Sequence, residues 1–135
     1  MVRNVLYVLV AVLFICGCKE QNKSGRVVQQ RHVGNLVCDN THFNFGDVSK
    51  KNKSFVDFSF VIMNMGDSLA KISSVEESCS CIHVEKFTRK IPPKQKGTIK
   101  GVVDIKKQKG HFSKPIFVNF SGDKVLLLRI IGDIS

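Results

Sequence analysis

Cys79, Cys81 and His83 stand two residues apart from one another. On a regular strand, positions i, i+2 and i+4 point to one face. Two soft thiolates and an imidazole suit Cu(I) or Zn(II). The same thiols could serve as a structural pair or as redox groups, and the structural role leads. A direct Cys79–Cys81 bond is disfavoured on a strand. Residues two apart there lie about 6.6 Å from each other, and only a sharp bend brings the Cβ atoms together. Cys38 with one of the two is the more comfortable disulfide. Closing that loop of about 40 residues would stabilise by about 3–4 kcal/mol and leave one thiol spare. A redox role needs a lowered thiol pKa, and Lys86, Arg89 and Lys90 are close in sequence.

Other reactive patterns are missing. His32 falls in a polar segment, His42 in a strand and His111 beside a basic turn. No catalytic triad, paired-carboxylate motif, phosphate-binding glycine loop or zinc-protease helix is found. Asp57 and Asp104 sit inside strands and are expected to face solvent or cap a bend. The chain is therefore expected not to be an enzyme and to need no cofactor, Cu or Zn being the alternative.

The N-terminus carries a different cysteine chemistry. Val5 to Ile15 is an uncharged apolar run preceded by Arg3. It falls short of the roughly 20 residues that a spanning helix needs. It reads as the h-region of a secretory signal. Ile15-Cys16-Gly17-Cys18 resembles a bacterial lipobox. The resemblance implies that Cys18 takes a diacylglyceryl group and becomes the first residue of the mature protein, while Cys16 leaves with the signal. Residues 1–17 are thus the signal peptide, and 18–34 a lipidated, flexible tether spanning about 20 Å. The expected location is the cell envelope, on the outer membrane, with the lipid holding the chain to the bilayer. In an oxidising envelope a disulfide is plausible chemistry.

Residues 35–135 must position these groups. The chain has 135 residues and 43% hydrophobic residues, enough for one domain with its own core. Val56, Phe58, Phe60 and Ile62 alternate with more polar neighbours, a period of two. Further strands are expected at 42–45, 69–75, 81–87, 98–105, 115–120 and 124–131. Turns are expected at Asn64-Met65-Gly66-Asp67, where Asn and Gly tolerate positive φ, at 106–110 and at 121–123. Ile91-Pro92-Pro93-Lys94 must break any strand. About seven strands with no helix suggest an antiparallel β-sandwich.

The formal net charge is +10, from 21 Lys and Arg against 11 Asp and Glu. Lys50, Lys51 and Lys53 fall in one turn, Lys94 and Lys96 in another, and Lys106, Lys107 and Lys109 in a third. Nucleic-acid binding would want aromatics among them, and the Phe residues lie on core faces instead. An anionic headgroup, an envelope glycan or an envelope protein is the expected partner. Asp67-Ser68-Leu69 resembles an acceptor for bacterial O-glycosylation.

The order of motifs is more specific than any one of them. Phe43-x-Phe45-Gly46 is followed by Phe58-x-Phe60-x-x-x-Asn64-x-Gly66-Asp67. Then come Leu69, Ile72, Val75 and Ser78-Cys79-Ser80-Cys81, and after them Ile91-Pro92-Pro93 with Gly97. Over about residues 41–132 this resembles the 1573 family of domains of unknown function. These are bacterial Ig-like domains, common on lipoproteins and related to PapD-like modules. That family reads Cys-Gly-Cys where this chain has Cys-Ser-Cys, and Pro-Gly where it has Pro93-Lys94. The resemblance implies an Ig-like (PapD-like) sandwich and no biochemical activity. It supplies the two cysteines but not His83.

Overall fold

The computed structural model describes residues 32–135. The expected signal segment, Cys18 and nearly all of the tether lie outside the described residues. Ten strands run in chain order: β1 (His32–Val33), β2 (Leu36–Cys38), β3 (His42–Val48), β4 (Phe55–Asn64) and β5 (Ala70–Glu77). They continue with β6 (Ile82–Phe87), β7 (Lys90–Ile91), β8 (Lys96–Asp104), β9 (Gly110–Phe120) and β10 (Lys124–Ile134). They form two five-stranded sheets, ordered β1-β2-β4-β8-β6 and β3-β10-β9-β5-β7.

The alternation in β4 does what period two demands. Val56, Phe58, Phe60 and Ile62 are buried, while Asp57, Ser59 and Val61 are exposed. In β10, Leu126, Leu128 and Ile130 turn inward in the same way. Phe43 of one sheet meets Phe58 and Phe60 of the other, with ring centroids 6.4 and 6.3 Å apart. Such tilted and edge contacts add to plain area burial. They tie the two layers together.

Three features depart from the expected list. β1 and β2 pair with each other, and β2 continues onto β4. Regular structure is thus already present at His32, within the expected tether; strands this short are too brief to show a period in sequence. β3 runs parallel to β10, with His42 opposite Arg129 and Ile130 opposite Phe43. The chain crosses from one sheet to the other between β2 and β3, and so reaches β10 from the parallel direction. The other paired strands are antiparallel.

The third departure is the turn at Asn64. Neither Asn64 nor Gly66 has a positive φ. Instead the buried Asn64 side chain builds the loop. Its Nδ2 donates to the carbonyls of Ser68 (2.8 Å) and Ile91 (2.9 Å), and its Oδ1 accepts the amide of Gly66 (3.0 Å). Pro115 lies within β9, just past the Glu77–Ile116 pair where the β5 ladder ends.

Candidate functional site

Glu77 is the last residue of β5 and Ile82 the first of β6. Between them, residues 78–81 turn the chain. The amide of Ile82 donates to the carbonyl of Cys79 (3.2 Å), closing a tight turn. The bend brings the Cα atoms of Cys79 and Cys81 to 5.2 Å, and their sulfurs are bonded. The strand geometry that disfavours this pair does not apply, because neither cysteine is in a strand.

Cys38 is correspondingly a free, buried thiol. It is aligned with Ile62 on β4, which faces Gly97 on β8. The Cys79–Cys81 turn is joined instead to Asp104, at the other end of β8. At 3.3 Å per residue, about 23 Å of sheet separates the two levels, so the expected pairing through Cys38 is excluded. The Cys38 thiol donates to the Asn40 carbonyl (3.3 Å). Burial pushes its pKa up and the charge of Asp39 adds to this, against a smaller lowering by the Asn40 backbone.

His83 does not join the cysteines. Cys81 and Ile82 are buried, whereas His83 is exposed on β6 opposite Val102. The turn breaks the common face that a continuous strand would give. Two bonded sulfurs also offer no thiolate to a metal. Among the described residues, no three His, Cys, Asp or Glu side chains are grouped to hold an ion.

Hydrogen bonds hold the turn alongside the disulfide. Asp104 donates its amide to the Cys81 carbonyl at 2.7 Å. Glu77 Oε1 accepts the Val84 amide at 2.9 Å, bridging the base of the loop. Gly101 lets β6 close on β8, since a Cβ there would collide with the His83 carbonyl and press on the Phe58 ring. The disulfide itself closes a ring of three residues. In the chain-entropy model that stabilises by about 1.6 kcal/mol, against about 4 kcal/mol for the expected long loop. It is therefore a weak staple.

A cleft of about 160 Å³ opens beside the turn, lined by Ser80, Cys81, Asp104, Lys107 and Gln108. The Asp104 carboxylate is turned to its own loop, accepting the Lys106 amide (3.0 Å), which is the expected cap of a bend. Sequence reading identified the lysine-rich turn after β8, but its position beside Cys81 depends on the β6–β8 register. The loop after β3 reaches the same pole of the sandwich, where Ile105 donates its amide to the Ser54 carbonyl (3.0 Å). Lys50, Lys51 and Lys53 thus share a pole with Lys106, Lys107 and Lys109. Lys106 Nζ sits 4.4 Å from the ring centroid of Phe55, which is 47% exposed. Lys94 is elsewhere, bonded to the Met65 carbonyl (2.6 Å) and paired with Asp67 (3.2 Å).

A second cleft, of about 390 Å³, lies at the opposite pole, with Asn35, Asn64, Ser68, Lys71 and Lys124 in its lining. Asp67, Ser68 and Leu69 are exposed at its edge. His42 touches Thr41 Oγ1 (3.3 Å), and His111 pairs with Asp133 (3.2 Å).

Two sheets packed face to face, with short loops gathered at two poles, define an immunoglobulin-like sandwich of the PapD-like kind. Residues 36–134 match the family described as Protein of unknown function (DUF1573), and the chain belongs to that family. No curated protein matches it. Among solved structures it is similar to PapD-like domain 7 of human CEP192, at 8% identity and TM-score 0.62, covering 76% of this chain and 87% of that one. It is also similar to a protein of unknown function from Porphyromonas gingivalis, at 12% identity and TM-score 0.61 over 73% of this chain. The VesB protease of Vibrio cholerae is similar at 15% identity and TM-score 0.60 over 74% of this chain. The chain spans 46% of the Porphyromonas protein and 32% of VesB. At these identities the likeness is one of fold alone.

Proposed function

We propose that this chain is a lipid-anchored envelope protein whose Ig-like domain binds an acidic envelope protein without catalysing a reaction. The observation that carries the binding reading is the basic pole. Two loops carry six lysines to this pole, and one of them, Lys106, lies over the exposed ring of Phe55. Clustered charge of one sign steers an oppositely charged partner, and exposed aromatics are favoured at protein interfaces. The lipobox supports lipid on Cys18, and an acyl chain plus a basic surface are two membrane signals.

The anchor is tested by intact mass and fractionation. A lipid adduct on Cys18 and release of Cys18→Ala from membranes support it; a Cys18→Ala protein that stays with membranes overturns it. Binding is tested with a photo-crosslinking residue at position 55 in living cells. One discrete protein adduct, lost when Lys50 and Lys106 are both changed to Glu, supports the reading. An adduct that survives the charge reversal, or one sensitive to glycosidase, replaces an acidic protein with another partner.

A further inference from the structure

The disulfide and the cleft beside it carry chemistry that goes beyond binding. Three observations converge on them. The disulfide closes only three residues, at a turn that backbone and Glu77 hydrogen bonds already hold. Its two residues are unequally covered, since Cys79 is half-buried and Cys81 is 7% exposed. The buried partner lines a cleft that also holds Lys107 and Gln108.

We propose that Cys79–Cys81 is a thiol–disulfide exchange site that takes two electrons from a protein dithiol. A thiolate of the dithiol attacks Cys79 Sγ, on the more exposed of the two residues. A mixed disulfide forms to Cys79, and the Cys79–Cys81 bond breaks with its electron pair on Cys81. That thiolate leaves toward the cleft, where the Lys107 ammonium favours it, and then takes a proton. The second thiolate of the dithiol attacks its neighbour's sulfur and releases Cys79, which is also protonated. The dithiol becomes a disulfide, and Cys79 and Cys81 become two thiols. The turn can accommodate both states because its hydrogen bonds do not pass through the sulfurs. Cys38 takes no part, being buried at the far level of the sheet. Of the basic pole the exchange draws only on Lys107, in the cleft beside Cys81; a preference for acidic dithiols rests on the binding reading above.

The test uses the full-length oxidised protein in detergent, with dithiothreitol and no denaturant, followed by alkylation and intact mass. Two labels, on Cys79 and Cys81, are expected at a rate within about tenfold of the denatured protein. Lys107→Glu should slow them about three- to tenfold. A disulfide reduced only after unfolding overturns the proposal. Cys81→Ser, given glutathione disulfide, should hold one adduct on Cys79, and Cys79→Ser should hold at least about tenfold less on Cys81. Equal trapping overturns the assigned order of attack. Two model dithiol peptides of opposite charge separate the readings. Faster exchange with the acidic peptide supports both, and equal rates leave the exchange standing while the charge preference falls.

Discussion

The carbonyl of Cys81 accepts the amide of Asp104 at 2.7 Å, so the turn that carries the disulfide is fastened to the end of β8 by backbone alone. The covalent bond across Ser80 adds a second constraint to a segment already held. This separates the architecture of the turn from the oxidation state of its sulfurs.

The double variant Cys79→Ala, Cys81→Ala should therefore keep the fold. Its cost should stay within about 2 kcal/mol, as expected for a three-residue ring. Denaturant unfolding of oxidised wild type and variant gives the number. A loss of 4 kcal/mol or more would show that the disulfide is the main support of the turn.

Metal chemistry at this turn should not involve His83. The imidazole is exposed on β6, while Cys81 is buried at the turn. If the reduced protein takes up Cu(I), His83→Ala should change its affinity less than about twofold. Loss of even a supporting residue at a metal site commonly costs tenfold or more. A tenfold drop in a competition titration would restore the three-ligand set.

Asn64 should be among the costliest polar side chains to remove. It makes three hydrogen bonds while 2% exposed, and it joins the end of β4 to β7. Asn64→Ala leaves buried backbone groups unpaired, at about 2–4 kcal/mol. Asn44→Ala is the control, since its bond to the Gly46 amide is exposed, and it should cost less than about 1 kcal/mol. Equal losses in thermal unfolding would contradict the structural role of Asn64.

Cys38 should make stability fall at alkaline pH. Its folded pKa is raised, chiefly by burial. Above the ordinary thiol value of about 8.5, the unfolded chain loses a proton that the folded chain keeps. The contribution is whole below that pH and shrinks above it. Between about pH 8 and 10, wild type should lose more stability than Cys38→Ala. Parallel curves for the two proteins would rule the thiol out.

The architecture was largely legible from residue order. β4 and β10 are long enough for period two to show which side meets the core, and that rule is local. The motif around Asn64 was visible, but not its mechanism, because one of its partners is Ile91, 27 residues away. β1 and β2, at two and three residues, are too short to carry a pattern.

Residue order alone thus determined the sandwich, the turns and the presence of a Cys-x-Cys pair, since alternation and turn chemistry act over a few neighbours. Tertiary structure decided how the cysteines pair, which lysines share a pole, and that β3 runs parallel to β10. Each depends on where one strand stops and which register its neighbour takes. Ending β5 at Glu77 put Cys79 and Cys81 on a bend rather than a strand, and the β6–β8 ladder then set Cys81 beside Lys107. Those are long-range packing outcomes that no local pattern encodes.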